Sequence, residues 1–287
     1  MEFLITFLNG LSLGGIYAMI ALGYTMVYGI AKMLNFAHGD IIMVGGYTIL
    51  VFLSFNPILA ILASVLFCMI VGIVIEKVAY KPLRGASPLA VLITAIGISY
   101  LLQSIAQMSF GSAPKFVVIA DLGTLRFGEI SIGYSTIITL ACSVVIMIGL
   151  NLFVKFTKTG RAMVAVSEDK GAAQLMGINV NSIIMITFAI GSALAALAST
   201  LMMLDGQKFA VDMGSLPGIK AFTAAVIGGI GSIPGAMLGG IVLGLVECFA
   251  QAIGFGEYTV AIEFSLLIIV LLVKPTGILG KKRREKV

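Results

Sequence analysis

Charge is what this 287-residue chain has least of. Only 11% of its residues are Asp, Glu, Lys or Arg, and 60% are hydrophobic, whereas ordinary soluble domains carry roughly 25% charged residues. That balance excludes a water-soluble enzyme or a nucleic-acid-binding domain. Histidine occurs once, at His38, and cysteine three times, at Cys68, Cys142 and Cys248. The cysteines form no CxxC pair and no metal-ligand spacing, so they read as small buried hydrophobes and no metal site is expected. The phosphate-loop pattern GxxxxGK[ST] is missing, so ATP is not bound that way and any energy must come from a partner or an ion gradient. The opening "MEFLITFLNG" has neither a basic start nor a following small-residue cleavage site. The first apolar segment is therefore expected to stay in place.

What the chain has instead is long uncharged runs. Residues 3–31, 41–75, 85–114, 130–154, 171–204 and 221–246 contain no Asp, Glu, Lys, Arg or His, and each meets the roughly 20 residues that cross a bilayer as a helix. None shows the period-two alternation of a barrel strand. The fold class is an all-α polytopic membrane protein, a single transmembrane domain over 1–287. Candidate spans fall near 5–31, 40–54, 57–76, 88–108, 133–154, 181–203, 217–231, 234–253 and 258–274. That gives eight or nine spans, two or three of them short.

Placing the 76–88 loop, the 155–181 loop and the tail "KKRREKV" on one face gathers, with Lys32 and Lys274, fourteen of the 18 basic residues there, with Lys115, Arg126 and Lys208 opposite and Lys220 ambiguous. The positive-inside rule makes the first face cytoplasmic, the N-terminus periplasmic and the C-terminus cytoplasmic. The net charge of +5 thus reports orientation in lipid, not nucleic-acid binding. The periplasmic loop 110–131, with Gly123 and Gly128 among β-branched and aromatic residues, is expected to hold a short β-hairpin.

Two stretches break the pattern. "KMLNFAHGD" (32–40) puts Asn35, His38 and Asp40 before a span whose fourteen residues, 41–54, rise only ~21 Å, short of the ~30 Å hydrocarbon thickness. Part of this stretch must lie within the membrane boundary. "GGIGSIPGAMLGG" (228–240) holds six glycines and Pro234 and cannot be one straight helix. Two half-helices meeting at a turn are expected, lining a substrate pathway; a plain short loop between spans is the alternative. The pathway candidates are Asn35, His38, Asp40, Gly228, Gly229, Gly231 and Gly235. For the first three, side chains that satisfy freed backbone groups are the leading role. Small residues at 10–15, 191–199 and 239–244 are expected to serve helix packing.

In the loop 155–181, "VSEDKGAAQLMGI" (166–178) reads as a short helix. Ser167 is the expected cap, Glu168 and Asp169 suit the first turn, and Gly177 ends it. Its surface is expected to present Ala172, Ala173, Leu175 and Met176, as a docking knob for a soluble partner or, alternatively, as an amphipathic helix on the lipid surface.

With these segments in view, nearly the whole chain resembles the inner-membrane permease subunits of ABC importers for branched-chain amino acids, the LivH type. The carriers are "NGLSLGGIYAMIALGYTMVYGIAKMLNFAHGDIIMVGGY" (9–47), "GRAMVAVSEDKGAAQLMGINV" (160–180) and "AFTAAVIGGIGSIPGAMLGGIVLGLVE" (221–247). Glu168, Ala172, Ala173 and Gly177 are similar to the "EAA" signature of the ATPase-coupling helix. Asp169, Lys170 and Gly171 separate the Glu from the Ala pair here, and the usual proline after the glycine is absent. The resemblance implies two ATP-binding subunits, which carry the only nucleotide, a second similar permease subunit, and a periplasmic substrate-binding protein delivering Leu, Ile or Val. A permease of a related amide or urea importer looks alike. An ion-coupled secondary carrier would rest instead on intramembrane His38, Asp40, Glu247 and Glu263, which form no repeated acid-base chain along a span. An intramembrane enzyme would need a nucleophile beside His38 and Asp40, and none is adjacent in sequence.

Overall fold

The computed structural model describes residues 2–116, 119, 123–127, 130–206 and 208–280. The basic tail 281–287, counted above toward orientation, and part of the 110–131 loop lie outside the described residues. Within them the chain forms helices α1 (Glu2–Ala31), α2 (His38–Phe52), α3 (Pro57–Ile75), α4 (Pro88–Phe110), α5 (Tyr134–Phe156), α6 (Lys158–Glu168), α7 (Lys170–Leu175), α8 (Val180–Leu204), α9 (Ser215–Gly228), α10 (Ile233–Ala252) and α11 (Thr259–Val273). Strands β1 (Thr124–Phe127) and β2 (Ile130–Gly133) pair antiparallel, with Thr124 opposite Gly133 and Phe127 opposite Ile130, as the sequence suggested. Seven helices are long and apolar enough to cross a bilayer, and α2 and α9 are shorter. These nine coincide with the nine expected spans.

Helix starts follow local chemistry. Asn56 accepts from Ile58 N at 2.8 Å ahead of Pro57, and Ser87 caps α4 ahead of Pro88. Proline costs nothing at a first helical position, because the amide it lacks would have no intrahelical acceptor.

α1 is the hub, packing on α5, α8, α9 and α10. Lipid tails are as apolar as Leu side chains, so helices here are held by close van der Waals fit, which small residues permit. The α1–α10 crossing shows the fit directly. A Cβ added to Gly240 would lie 2.4 Å from the Ala18 backbone, and one on Gly14 would lie 2.7 Å from Ile241 Cα. On α1's other sides Gly15 meets Ser143 of α5, and Gly23 meets Gly191 of α8. The outward faces of α3, α4, α5 and α11 expose Leu, Ile, Val and Phe, as a lipid-facing surface should.

Three separate ties mark one end of the bundle. Lys170 of α7 reaches Ala31 at the end of α1, Gly231 lies against Gly29, and Arg84, just beyond α3, binds Glu76 and Asn181. The loops that the charge pattern assigned to a single face are therefore together in space.

Replacing Gly240 by Leu is expected to destabilise the protein by at least about 2 kcal/mol through overpacking. Gly97→Leu, where an added Cβ meets nothing within 4 Å, should be close to neutral. Thermal melting of the detergent-purified protein separates the two.

Candidate functional site

Between α1 and α2 the chain reverses inside the bundle. Lys32 takes a left-handed φ of 61°, the one non-glycine residue among the described residues to do so, and its amide closes on Tyr28 O at 2.9 Å. Such strain is kept where the surroundings impose it. Tyr80, on the π turn Glu76–Tyr80 that continues α3, donates to Asn35 Oδ1 at 2.9 Å and packs against Phe188. A π turn inserts an extra residue per turn and so re-aims a side chain; here it delivers Tyr80 to the break. His38, 1% exposed, fits where Gly23 lacks a side chain and sits edge-on to Tyr24, with ring centres 4.7 Å apart. Asp40 Oδ1 accepts from Gln103 Nε2 at 2.7 Å, and Gln103 also reaches Ser99. Tyr24 stands seven residues before Ala31, so the start of α2 lies roughly 10 Å inside the end of α1. That placement agrees with the span arithmetic.

The start of α9 comes to the same place. A Cβ on Gly39 would sit 2.5 Å from Gly214 O, and one on Gly218 would sit 2.9 Å from Gly39 Cα. Neither α2 nor α9 has a side-chain cap at its start, where Ala37 and Gly214 stand. Two uncapped helix N-termini thus converge beside His38 and Asp40, and such ends favour negative charge. The expected spans 181–203 and 217–231 left the residues between them as a connection. In fact Phe209 is buried against Gly46 and Tyr47 of α2, so this segment descends along α2 before α9 begins. The available signal was Gly214 and Gly218, four residues apart at the head of a short apolar run.

The glycine-rich stretch differs from the expected pair of half-helices meeting in the membrane. α9 and α10 form an antiparallel hairpin whose turn, Gly229–Ser232, closes at the end where α1 finishes. Gly228 and Gly235 pack backbone to backbone. Gly229, at φ 106°, is covered by Gly277 and Gly280. The Ile227 and Gly228 carbonyls accept from Ile278 N at 2.8 Å and Leu279 N at 2.9 Å. The chain after α11 folds back and satisfies what the helix end leaves open, so the break needs no cavity. Of the four candidate glycines only Gly231 faces open space, in a cleft with Thr25, Met26, Val154 and Met163.

The loop 155–181 holds two helices where one was expected. α6 ends at Glu168, and Asp169, extended at φ −150°, caps α7 by accepting from Ala172 N at 2.9 Å. Ser167, the expected cap, donates instead to Val164 O within α6. Gly177 closes α7 at φ 81° as expected. Leu175 and Met176 are 91% and 82% exposed, but Ala173 is only 4% exposed and belongs to the inner face, not to the presented surface. Glu168 and Ala172 are exposed. Burial, with Arg84 nearby, lowers the pKa of Lys170 from its ordinary value.

A buried ionic cluster was missed. Lys220 Nζ lies 2.7 Å from Glu247 Oε1 and 3.1 Å from Glu263 Oε1, and Tyr17 donates to Glu247 Oε2 at 2.8 Å. α1, α9, α10 and α11 meet here. Lys220 and Glu247 border the uncharged run 221–246, and folding that run into a hairpin brings its ends together. The intramembrane acids of the carrier reading are thus split, with His38 and Asp40 at the break and Glu247 and Glu263 already facing a lysine. Among the described residues no cluster of three His, Cys, Asp or Glu could hold a metal.

A bundle of membrane-crossing helices with two half-helices starting inside it and an exposed short helix at one end defines the membrane subunit of a transporter. The chain belongs to the family of branched-chain amino acid transport system permease components, whose pattern it matches over residues 6–271. It is 45% identical to the high-affinity branched-chain amino acid transport system permease protein BraD of Pseudomonas aeruginosa, over 97% of this chain and 96% of that one. It is 41% identical to LivH, the corresponding permease of Escherichia coli, over 99% and 98%. A solved metal-chelate type ABC transporter in an inward-facing conformation shares the fold, with a TM-score of 0.50 at 14% identity over 94% of this chain and 85% of that one.

Lys220→Met would leave two buried carboxylates facing each other and is expected to cost about 3–5 kcal/mol. The triple variant K220M/E247Q/E263Q should recover most of that loss. Thermal unfolding in detergent reads both.

Proposed function

We propose that this chain is a transmembrane subunit of an inner-membrane ABC importer that moves leucine, isoleucine or valine into the cytoplasm. The observation that carries this reading is the near full-length similarity to branched-chain amino acid permeases. The whole chain acts as one unit, with its N-terminus outside and its C-terminus inside. A periplasmic binding protein delivers substrate to the outer face, and a second, related permease completes the pathway. Two ATP-binding subunits receive α7, whose Leu175 and Met176 project free of the bundle. Of the four coupling residues, Glu168 ends α6 beside the docking helix, Ala172 donates its amide to the Asp169 cap, Ala173 seats α7, and Gly177 allows the turn that ends it.

The convergent starts of α2 and α9 suit a passing carboxylate through their helix dipoles. Asp40, held by Gln103, suits the ammonium. His38 and Asn35 hold the shape of the break, and Gly231 lines the cleft toward the cytoplasmic end. Weak binding is sufficient, because the delivery protein supplies selectivity and release must be fast.

The test is the complete complex in proteoliposomes. Leucine-loaded binding protein is expected to stimulate ATP hydrolysis and uptake; stimulation only by an amide or urea would overturn the substrate. Uptake that survived loss of the ATPases and collapsed with the ion gradient would overturn the mechanism. Asp40→Asn should lower uptake about tenfold or more, the scale of one charged hydrogen bond. Leu175→Asp should abolish stimulated ATPase without unfolding the subunit, because Leu175 touches little of it. Gly177 is a poorer probe, since any side chain at φ 81° is strained on its own account.

A further inference from the structure

Lys170 is the first residue of α7, yet its side chain leaves that helix. Its ammonium donates to the Ala31 carbonyl at 2.9 Å. Ala31 is the last residue of α1, and a terminal carbonyl of a helix has no intrahelical donor and carries the negative end of the dipole. A lysine there makes a charge-assisted bond, about twice as strong as a neutral one. Lys170 is partly buried and lies near Arg84. Arg84 in turn is fixed to Glu76 and Asn181. The lysine side chain therefore bridges α7 and α1 within a packed basic corner.

The position of Ala31 gives the bond its consequence. The next residue, Lys32, holds the left-handed φ that turns the chain out of α1, and within a few residues come Asn35, clasped by Tyr80, and His38, wedged at Gly23. Hinges are a few element-terminal residues that absorb backbone rotation, and 32–37 has that character. Otherwise α7 packs mainly on α6 and α8. Resting on the importer reading above, we infer that Lys170 is a positioning residue: through Ala31 it ties the ATPase-facing helix α7 to the α1–α2 hinge. Displacement of α7 by the ATP-binding subunits is thereby passed to the polar break at Asn35–Asp40. The tie acts on the hinge and does not touch substrate.

The experiment compares wild type, Lys170→Met and Lys170→Arg in the complete complex reconstituted with binding protein, ATPases and partner permease. K170M is expected to assemble and to hydrolyse ATP within about twofold of wild type, while moving about tenfold less leucine per ATP hydrolysed, the effect of losing one charged hydrogen bond from a coupling equilibrium. K170R, which keeps a cationic donor, should restore most of the transport per ATP. The inference is overturned if K170M transports normally per ATP, if K170R is as defective as K170M, or if K170M no longer assembles, which would make Lys170 a docking residue. Wild-type complex that transported leucine without ATP hydrolysis would bring down the importer reading as well, and that failure appears before any variant is compared.

Discussion

Close approach of backbones around α1 is the constraint on which the rest depends. Oil gives helices no hydrophobic reason to associate, so contact area must come from fit. α1 obtains it by carrying Gly10, Gly14, Gly15 and Gly23 toward α10, α5 and α8, each of which answers with a small residue or a bare backbone. Once α1 is seated this way, its last turn is fixed in space. The reversal at Lys32, the start of α2 and the position of α7 then all refer to it.

A second constraint is that every interrupted helix must dispose of its freed polar groups without water. Each break solves this differently. The end of α9 borrows the amides of Ile278 and Leu279. Asn35 takes the Tyr80 hydroxyl, and Asp40 takes Gln103 from α4. The starts of α2 and α9 lack side-chain caps, as those of α5 and α11 do, but α2 and α9 begin against each other, beside the buried His38 and Asp40. Two stretches that look alike in sequence as helix breakers are thus physically different: one is sealed by the chain itself, the other is presented inward.

Span positions, the β-hairpin, the face grouping of the loops and the family resemblance were legible because each rests on local spacing or on charge counted along the chain. Depth was legible at 32–40, where a span too short to cross demanded it, but not at the glycine-rich break. Whether a glycine-rich break turns in the membrane or at its edge depends on what covers it, and residues 277–280, which cover Gly229, are far away in sequence. The inward side of α7 was misread at Ala173 for a related reason: six residues make too short a period to fix a face, and Asp169 starts the helix two residues later than Ser167 would. Lys220 was left ambiguous because a lone charge near a span end is normally solvated; its partners Glu247 and Glu263 become neighbours only after α9, α10 and α11 pack.

The cluster around Lys220 also bears on the energy source. A coupling-ion site needs carboxylates free to take and release a cation, whereas Glu247 accepts from Tyr17 and faces Lys220, and Glu263 shares the same lysine. Acids bridged by a shared lysine act as a staple, and this one joins α1, α9, α10 and α11; α11 is otherwise largely exposed. α3 packs chiefly on α2 and α8, and the π turn that extends α3 carries Tyr80. α4, which carries Gln103, packs chiefly on α2. The break at Asn35–Asp40 therefore lies where the stapled block meets α2, α3 and α4, with Gly39 packed on Gly214 and Gly218 of α9 and with Tyr80 and Gln103 donating to Asn35 and Asp40.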